Sequence, residues 1–392
     1  MNALYADLHV HLGSTQRGRP VKMGASRGFT LRRAAEAAAG EKGLDLLGVV
    51  DLGVPEVLAE AEDAVRSGEA EALGGGGLRL WGRVTVIPGA EVELPLGRGI
   101  AHILCLFPGL RETARFGAWL GPRVRNPSLS TQRLSATAPA DLARAVCALD
   151  GLLIPAHAFT PHKSLFGACV ERLAQAFPGS EPVSALELGL SADTAMADRL
   201  SELRDLSFVT NSDAHSAASL GREYNLLQAA EPSFRELAWA LARSRGRRVA
   251  ANFGLDPRLG KYHRTSCRAC GRIAEAPPPQ LRCPHCGSRR VVVGVRDRLE
   301  TIADLPEPAS PPHRPPYLHQ VPLRFLPGLG PAALSRLLEA FGSEMAVLHR
   351  ASAEDLERAV GPRLASLVVA AREGRLTLSD GGGGRYGRVL SP

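Results

Sequence analysis

The sequence predicts an α/β chain in three parts: a βα barrel over residues 1–255, a small cysteine-rich unit over 256–304, and a helical region over 326–392, reached through a Pro-rich linker at 305–325. Three observations predict it. Short apolar runs alternate with helical patterns up to about residue 255, two closely spaced cysteine pairs follow, and helical periodicity returns only beyond a Pro-rich stretch.

The elements follow in order. LYADLHVHL opens the chain as a strand, and a helix is expected near residues 30–42. LDLLGVVDLG, a helix from Val54 to about Arg66, VTVIPGAEVEL and AHILCLFP come next, then GLLIPAHAF, VSALELGL and LSFVTNSDAH. This strand-then-helix rhythm predicts mostly parallel strands, and closing them into a barrel puts functional side chains on the loops after each strand. LPEPASPPHRPPY at 305–317 reads as a stiff linker. Residues 326–376 read as helical with two Gly-centred breaks, and the backbone freedom of GGGGRYG at 381–387 prevents it from holding a packed structure alone.

With 392 residues, 45% of them hydrophobic and 22% charged, the chain can bury a full core, which excludes a disordered or fibrous protein. Met1 through Leu12 show no basic leader, long apolar run or cleavage site, so a soluble, cytoplasmic protein is expected. The net charge of +7 is uneven: residues 1–255 hold 27 basic against 27 acidic side chains, residues 256–392 hold 20 against 13. Positive charge concentrated in the C-terminal third is what contact with phosphates requires.

His9 and His11 lie two apart on a strand, so both project to one face and can share a metal ion. Such a pair alone is weak evidence. Glu91 in PGAE, His102, His157 in PAHAF, and Asp213 with His215 in NSDAH strengthen it, because these residues also fall at the ends of apolar runs. Imidazoles and carboxylates converging from several strand ends suit a multinuclear Zn2+, Mn2+ or Mg2+ site for phosphoester hydrolysis. Separately, Cys267, Cys270, Cys283 and Cys286 have the spacing C-x2-C-x12-C-x2-C, each pair followed by Gly. That spacing predicts a zinc ribbon with one structural Zn2+ held by all four thiolates, a redox pair being the lesser alternative.

The order HxH, PGxE, His, His, SDxH resembles the PHP family (polymerase and histidinol phosphatase), whose fold is a distorted βα barrel with two or three metals at its rim. The resemblance implies a first ion on His9, His11, Glu91 and Asp213, and a second on Glu91, His102 and His157, with Glu91 as the bridge. Where the family's third ion uses the His of a TDH motif, VVDLG here offers Asp51 and no His, which leaves a third ion and the part of His215 open.

FLPGLGPAALSRLLEAFGS at 325–343 and AVGPRLASLVVAAREG at 359–374 look like the two halves of a helix-hairpin-helix DNA-binding unit. Barrel, ribbon and helical unit together, with HAFTPHKSLFG (157–167), LGREYN (220–225), GLDPRLGKYHRTSC (254–267) and GGGGRYG (381–387), resemble the endonuclease Q family over essentially the whole chain. That resemblance implies a metal-dependent DNA repair endonuclease that hydrolyses the phosphodiester 5′ of deaminated bases (uracil, hypoxanthine, xanthine) and abasic sites. Reading such a base requires extruding it into a pocket. Asp213, Glu91 and His215 are the candidate catalytic residues, with Lys163 as a candidate phosphate contact. DNA is the expected partner, and a replication clamp or helicase is left open. The competing readings are a PHP-family phosphatase, a lesion-independent PHP nuclease and an inactive PHP scaffold.

Overall fold

The computed structural model describes residues 1–97, 99–135, 137–178 and 183–390. Strands β1 (Asn2–Val10), β2 (Leu46–Val49), β3 (Ala70–Ala72), β4 (Leu78–Leu80), β5 (Val84–Leu96), β6 (Gly99–Leu106) and β7 (Leu152–Pro155) belong to one large sheet. Strands β8 (Leu186–Glu187) and β9 (Phe208–Val209) form a short separate pair, and β10 (Tyr224–Ala229) and β11 (Arg248–Gly254) return to the large sheet beside β1. Helices α1 (Leu31–Glu36), α2 (Pro55–Arg66), α3 (Leu110–Leu120), α4 (Pro139–Cys147), α5 (Thr194–Ala197) and α6 (Phe234–Leu241) lie between them.

The strand-and-helix architecture agrees with the expected α/β class, but the pairing is mixed where the rhythm predicts mostly parallel strands. β1–β2, β2–β5 and β8–β9 are parallel, whereas β1–β10, β10–β11, β5–β6 and β6–β7 are antiparallel. The reason is plain at β5–β6, where two residues join the strands and a parallel crossover needs a dozen or more. The β1–β2 contact is close: a Cβ on Gly48 would stand 2.3 Å from the Leu8 carbonyl oxygen, so only glycine fits.

The short β8–β9 pair closes the barrel with side chains instead of a full ladder. Asn225 donates to the carbonyls of Thr210 (2.8 Å) and Ala6 (3.2 Å), Asn252 donates to Phe208 (3.1 Å), and the Asn211 carbonyl oxygen accepts from the Leu8 amide (2.9 Å). These three buried amides pair backbone groups that the brief strands leave over.

Beyond the barrel, β12 (Ser266–Cys267) and β13 (Val291–Val292) pair antiparallel, and α7 (Val295–Ile302) follows. The Pro-rich stretch is not bare. Arg314 is buried against Asp198 at 2.9 Å, and β14 (Tyr317–His319) adds to the large sheet parallel to β11. Helices α8 (Pro331–Phe341), α9 (Glu344–His349), α10 (Ala353–Val360) and α11 (Pro362–Arg372) then pack so that one apolar cluster runs from Val10 and Leu44 through Phe253 to Leu334, Val347 and Leu376. Gly342 and Gly361 stand at helix ends with φ of 85° and 82°, a conformation that suits glycine at the breaks.

A buried ion pair ties this region to the barrel: Lys42 Nζ lies 2.8 Å from Glu344 Oε1, the two side chains being 2% and 6% exposed. Lys42→Met should strand the Glu344 charge and destabilise the fold by roughly 3 kcal/mol. Denaturant unfolding would show it, and Lys42→Met with Glu344→Leu should recover most of the loss.

Candidate metal centre

His9 lies near the end of β1 and His11 just past it, both buried, with their Nε2 atoms 3.2 Å apart. β5 and β6 pair with Glu93 opposite His102, which places Glu91, Glu93 and His102 on a common face. It also explains why His102 opens its apolar run, since β6 returns antiparallel and meets the rim at its start. His157 follows β7 and Asp213 follows β9, at φ of 31° and 47°. A left-handed backbone at a non-glycine residue costs on the order of 1–3 kcal/mol and persists only where the surroundings enforce it.

Six of the expected residues converge. Donor atoms of His9, His11 and Asp213 lie within 4.8 Å of one another, and so do those of Glu91, His102 and His157. Glu91 spans both groups: Oε1 is 3.4 Å from His9 Nε2, 2.7 Å from His102 Nδ1 and 3.7 Å from His157 Nε2, and Oε2 is 3.2 Å from His11 Nε2. Asp213 Oδ1 is 3.5 Å from His9 Nε2 and 3.8 Å from His11 Nε2.

Hydrogen bonds behind the imidazoles test whether these groups suit a metal. His9 Nδ1 meets Glu187 Oε2 at 3.0 Å, and His11 Nδ1 meets Asp51 Oδ1 at 2.9 Å. Each ring therefore donates from Nδ1 and turns its Nε2 lone pair inward, where the two Nε2 atoms face each other at 3.2 Å beside two carboxylates. Acceptors so crowded call for cations, of which Lys22 Nζ, 3.1 Å from Glu91 Oε2 and 3.4 Å from His11 Nε2, supplies one. Burial pushes the Glu91 carboxyl up, yet His102, Lys22 and His11 outweigh it and hold it well below the usual carboxylate range. Burial likewise lowers His9, but Glu187 and Asp213 reverse this and hold its imidazole well above the ordinary range. Glu91 thus stays ionised and His9 attracts positive charge, so the pocket favours cations.

His215 stands apart from both groups: its Nδ1 meets the Asp213 carbonyl at 2.9 Å, and its ring lies against that of His11 at 4.8 Å. Lys163 Nζ is engaged with Glu93 Oε1 at 2.6 Å while its side chain remains half exposed. Sequence reasoning missed Lys22 and Thr131, which both bond Glu91 Oε2, at 3.1 and 2.7 Å. Glu187 and Asn211 were equally unforeseen as the pair that orients His9, Asn211 donating to Glu187 at 2.8 Å. Asp51, noted only for lacking a neighbouring His, orients His11 and also accepts from the Leu12 amide at 2.5 Å. Such orienting carboxylates are worth about 10–100-fold in metal affinity, so Asp51→Asn should weaken Mn2+ binding by that range in a calorimetric titration.

Beside the rim lies a cavity of about 160 Å³, lined among others by His102, His157, Lys163, Asn211, Asp213 and Tyr262.

Away from the barrel, the four cysteines form a second group. Cys267 and Cys286 Sγ lie 3.7 Å apart, Cys270 and Cys283 Sγ 3.6 Å apart. A tetrahedron with bonds of about 2.3 Å has edges of about 3.8 Å, which these two separations match, and all four sulfurs lie within 4.8 Å of one another. Gly271 and Gly287, at φ of 72° and 70°, each donate to the carbonyl of the first Cys of the pair at 3.0 Å, closing two matching knuckles. The Ala269 and Cys270 amides point at Cys267 Sγ, at 3.3 and 3.5 Å, and favour the thiolate that a metal needs.

Residues 193–246 match the family described as PHP-associated. The chain is 45% identical over 392 residues to the "Uncharacterized protein YqxK" of Bacillus subtilis (strain 168), covering 99% of this chain and all of that one. Among solved structures it is similar to the lesion-specific endonuclease PfuEndoQ from Pyrococcus furiosus, at 32% identity and a TM-score of 0.85 over 100% of this chain and 96% of that one. It is also similar, at 31% identity and a TM-score of 0.84 over 100% and 97%, to an Endonuclease Q in complex with a 27-mer duplex substrate bearing an abasic lesion at the active site.

Proposed function

Because this chain belongs to the endonuclease Q family and is a metal-dependent nuclease, we propose that it nicks DNA 5′ of deaminated bases (uracil, hypoxanthine, xanthine) and of abasic sites. The observation that carries this reading is the cavity of about 160 Å³ opening directly onto His102, His157 and Asp213, so that a group placed in it lies beside the reacting phosphate.

His9, His11, Glu91 and Asp213 would hold one divalent ion and Glu91, His102 and His157 another. Ions so held lower the pKa of a bound water and neutralise charge on the phosphoryl oxygen. Around them the chain's own groups set the geometry: Glu187 and Asp51 hold the imidazole tautomers, and Lys22 balances the Glu91 charge. An extruded nucleotide would enter the cavity beside Tyr262, whose ring offers a stacking surface. His215, outside the two groups, would act on the phosphate or on a third ion. Lys163 would reach a phosphate from the cavity mouth by exchanging its Glu93 partner. Helices α8 to α11, entered through Gly328 and Gly361, would grip the duplex as a helix-hairpin-helix unit, and a clamp or helicase would serve to bring the chain to its substrate. The ribbon would hold Zn2+; the rim, Zn2+, Mn2+ or Mg2+.

End-labelled duplexes carrying one deoxyuridine, deoxyinosine, abasic site or no lesion, incubated with Mg2+, Mn2+ or Zn2+, test the reading. A single nick 5′ of each lesion, absent from intact duplex and lost in Asp213→Ala, is expected. Equal cleavage of undamaged DNA would favour a lesion-independent nuclease. Activity confined to free monoesters would favour a phosphatase.

A further inference from the structure

Three sequence runs that supply no ligand to the barrel's metal groups, LGREYN (220–225), GLDPRLGKYHRTSC (254–267) and GGGGRYG (381–387), meet beside the rim. Backbone bonds lace the Gly-rich run onto the second: the amides of Gly381, Gly384 and Gly387 donate to the carbonyls of Arg258 (2.6 Å), Lys261 (3.0 Å) and Leu259 (2.9 Å). The fit needs glycine at its two ends, since a Cβ would stand 2.4 Å from the Gly260 oxygen at Gly381 and 2.2 Å from the Ser379 oxygen at Gly387. The lacing sets down Tyr386, whose ring packs edge-on to Phe325.

The Tyr386 hydroxyl accepts from Arg222 Nη1 at 2.8 Å. The same guanidinium donates through Nε to the Ser212 carbonyl (2.7 Å) and through Nη2 to that of Asp213 (3.4 Å). On the opposite side, β1 holds the next residue: the Ala214 amide donates to the His9 carbonyl (3.3 Å), and the Ala214 carbonyl accepts from the His11 amide (2.9 Å). Asp213, at a φ of 47°, is thus gripped between the His9–His11 segment and a single arginine. Aspartate tolerates a positive φ better than most residues, and the flanking bonds hold it there.

We propose that Tyr386 and Arg222 form a clasp that fixes the Ser212–Ala214 backbone and so positions Asp213 to bind metal. The proposal rests on the reading of Asp213 as a metal ligand. Both act on Asp213 as positioning residues, through the backbone; Arg222 also lines the cavity beside the rim, so Mn2+ binding without DNA is the readout that isolates this role. Losing the hydroxyl frees Nη1 to turn toward water, and the strained turn then samples conformations in which Oδ1 faces away from His9 and His11. Metal affinity falls by the fraction of time spent there.

Mn2+ binding to the purified full-length chain tests this by calorimetry at 25 °C, alongside nicking of an abasic duplex at saturating Mn2+. Tyr386→Phe is expected to weaken Mn2+ binding about fivefold, the size of one lost hydrogen bond, and Arg222→Gln about tenfold. The double variant should bind no more weakly than Arg222→Gln alone, because the hydroxyl acts only through that arginine. Unchanged Mn2+ affinity in Tyr386→Phe overturns the clasp, as do losses that add in the double variant, which a general loosening of the fold would produce. If the unaltered chain binds Mn2+ yet leaves every lesion duplex intact, the proposed function fails and the titrations still decide the clasp.

Discussion

Glu91→Gln is expected to lower lesion-dependent nicking by roughly a thousandfold or more while the chain stays folded, as single-turnover kinetics beside a circular dichroism spectrum would show. The expectation follows from position. One oxygen of Glu91 faces His9, His102 and His157, and the other faces His11. The amide keeps the shape but presents an NH2 to one of those groups and removes the negative charge that bridges them. It also leaves the Lys22 ammonium, only 17% exposed, without its carboxylate, a second cation repelling any metal. A loss smaller than tenfold at saturating Mn2+ would mean that Glu91 is not the bridge.

Cys283→Ser should release the Zn2+ and unfold the segment from about Thr265 to Val292, with the barrel left intact. β12 and β13 contribute two residues each and the cysteine unit has almost no apolar core, so thiolate–metal bonds must supply its folding energy, which for structural Zn2+ is on the order of 10 kcal/mol. Asp297, fully buried and accepting from the Thr265 amide at 3.0 Å and the Gln280 amide at 2.6 Å, anchors the unit to α7 but cannot organise the knuckles alone. Metal analysis should find one Zn2+ fewer per chain, and limited proteolysis should cut between Cys267 and Val292. A variant as protease-resistant as the parent would show that the ribbon folds without metal.

What could be read in the sequence depended on how local each signal is. His9 and His11 are separated by the period of a strand, and the cysteine spacing carries its geometry with it, so both were legible. Glu91, His102, His157 and Asp213 were legible because apolar runs mark where strands meet the rim, whatever the strand direction. Glu187 offered only the weak sign of one acid in ALELGL, a run otherwise suited to a buried strand. Lys22 and Thr131 come from irregular loops 109 residues apart, and nothing local says that such loops will meet. Antiparallel pairing was hidden for a different reason: buried parallel and antiparallel strands share the same apolar composition, and only the two-residue join between β5 and β6 betrayed one of them.

The apolar cluster shared by the barrel and helices α8 to α11, pinned by Lys42 and Glu344, bears on how a duplex can be engaged. An arm on a loose tether could search along DNA while the hydrolytic centre waited. Here the helical region has no separate core with which to detach, so heating should melt barrel and helices in one calorimetric transition. If these helices grip the duplex as proposed, any bending needed to bring a lesion to the rim must come from the duplex, and DNA weakened by a mispair or a missing base is the kind that kinks most readily.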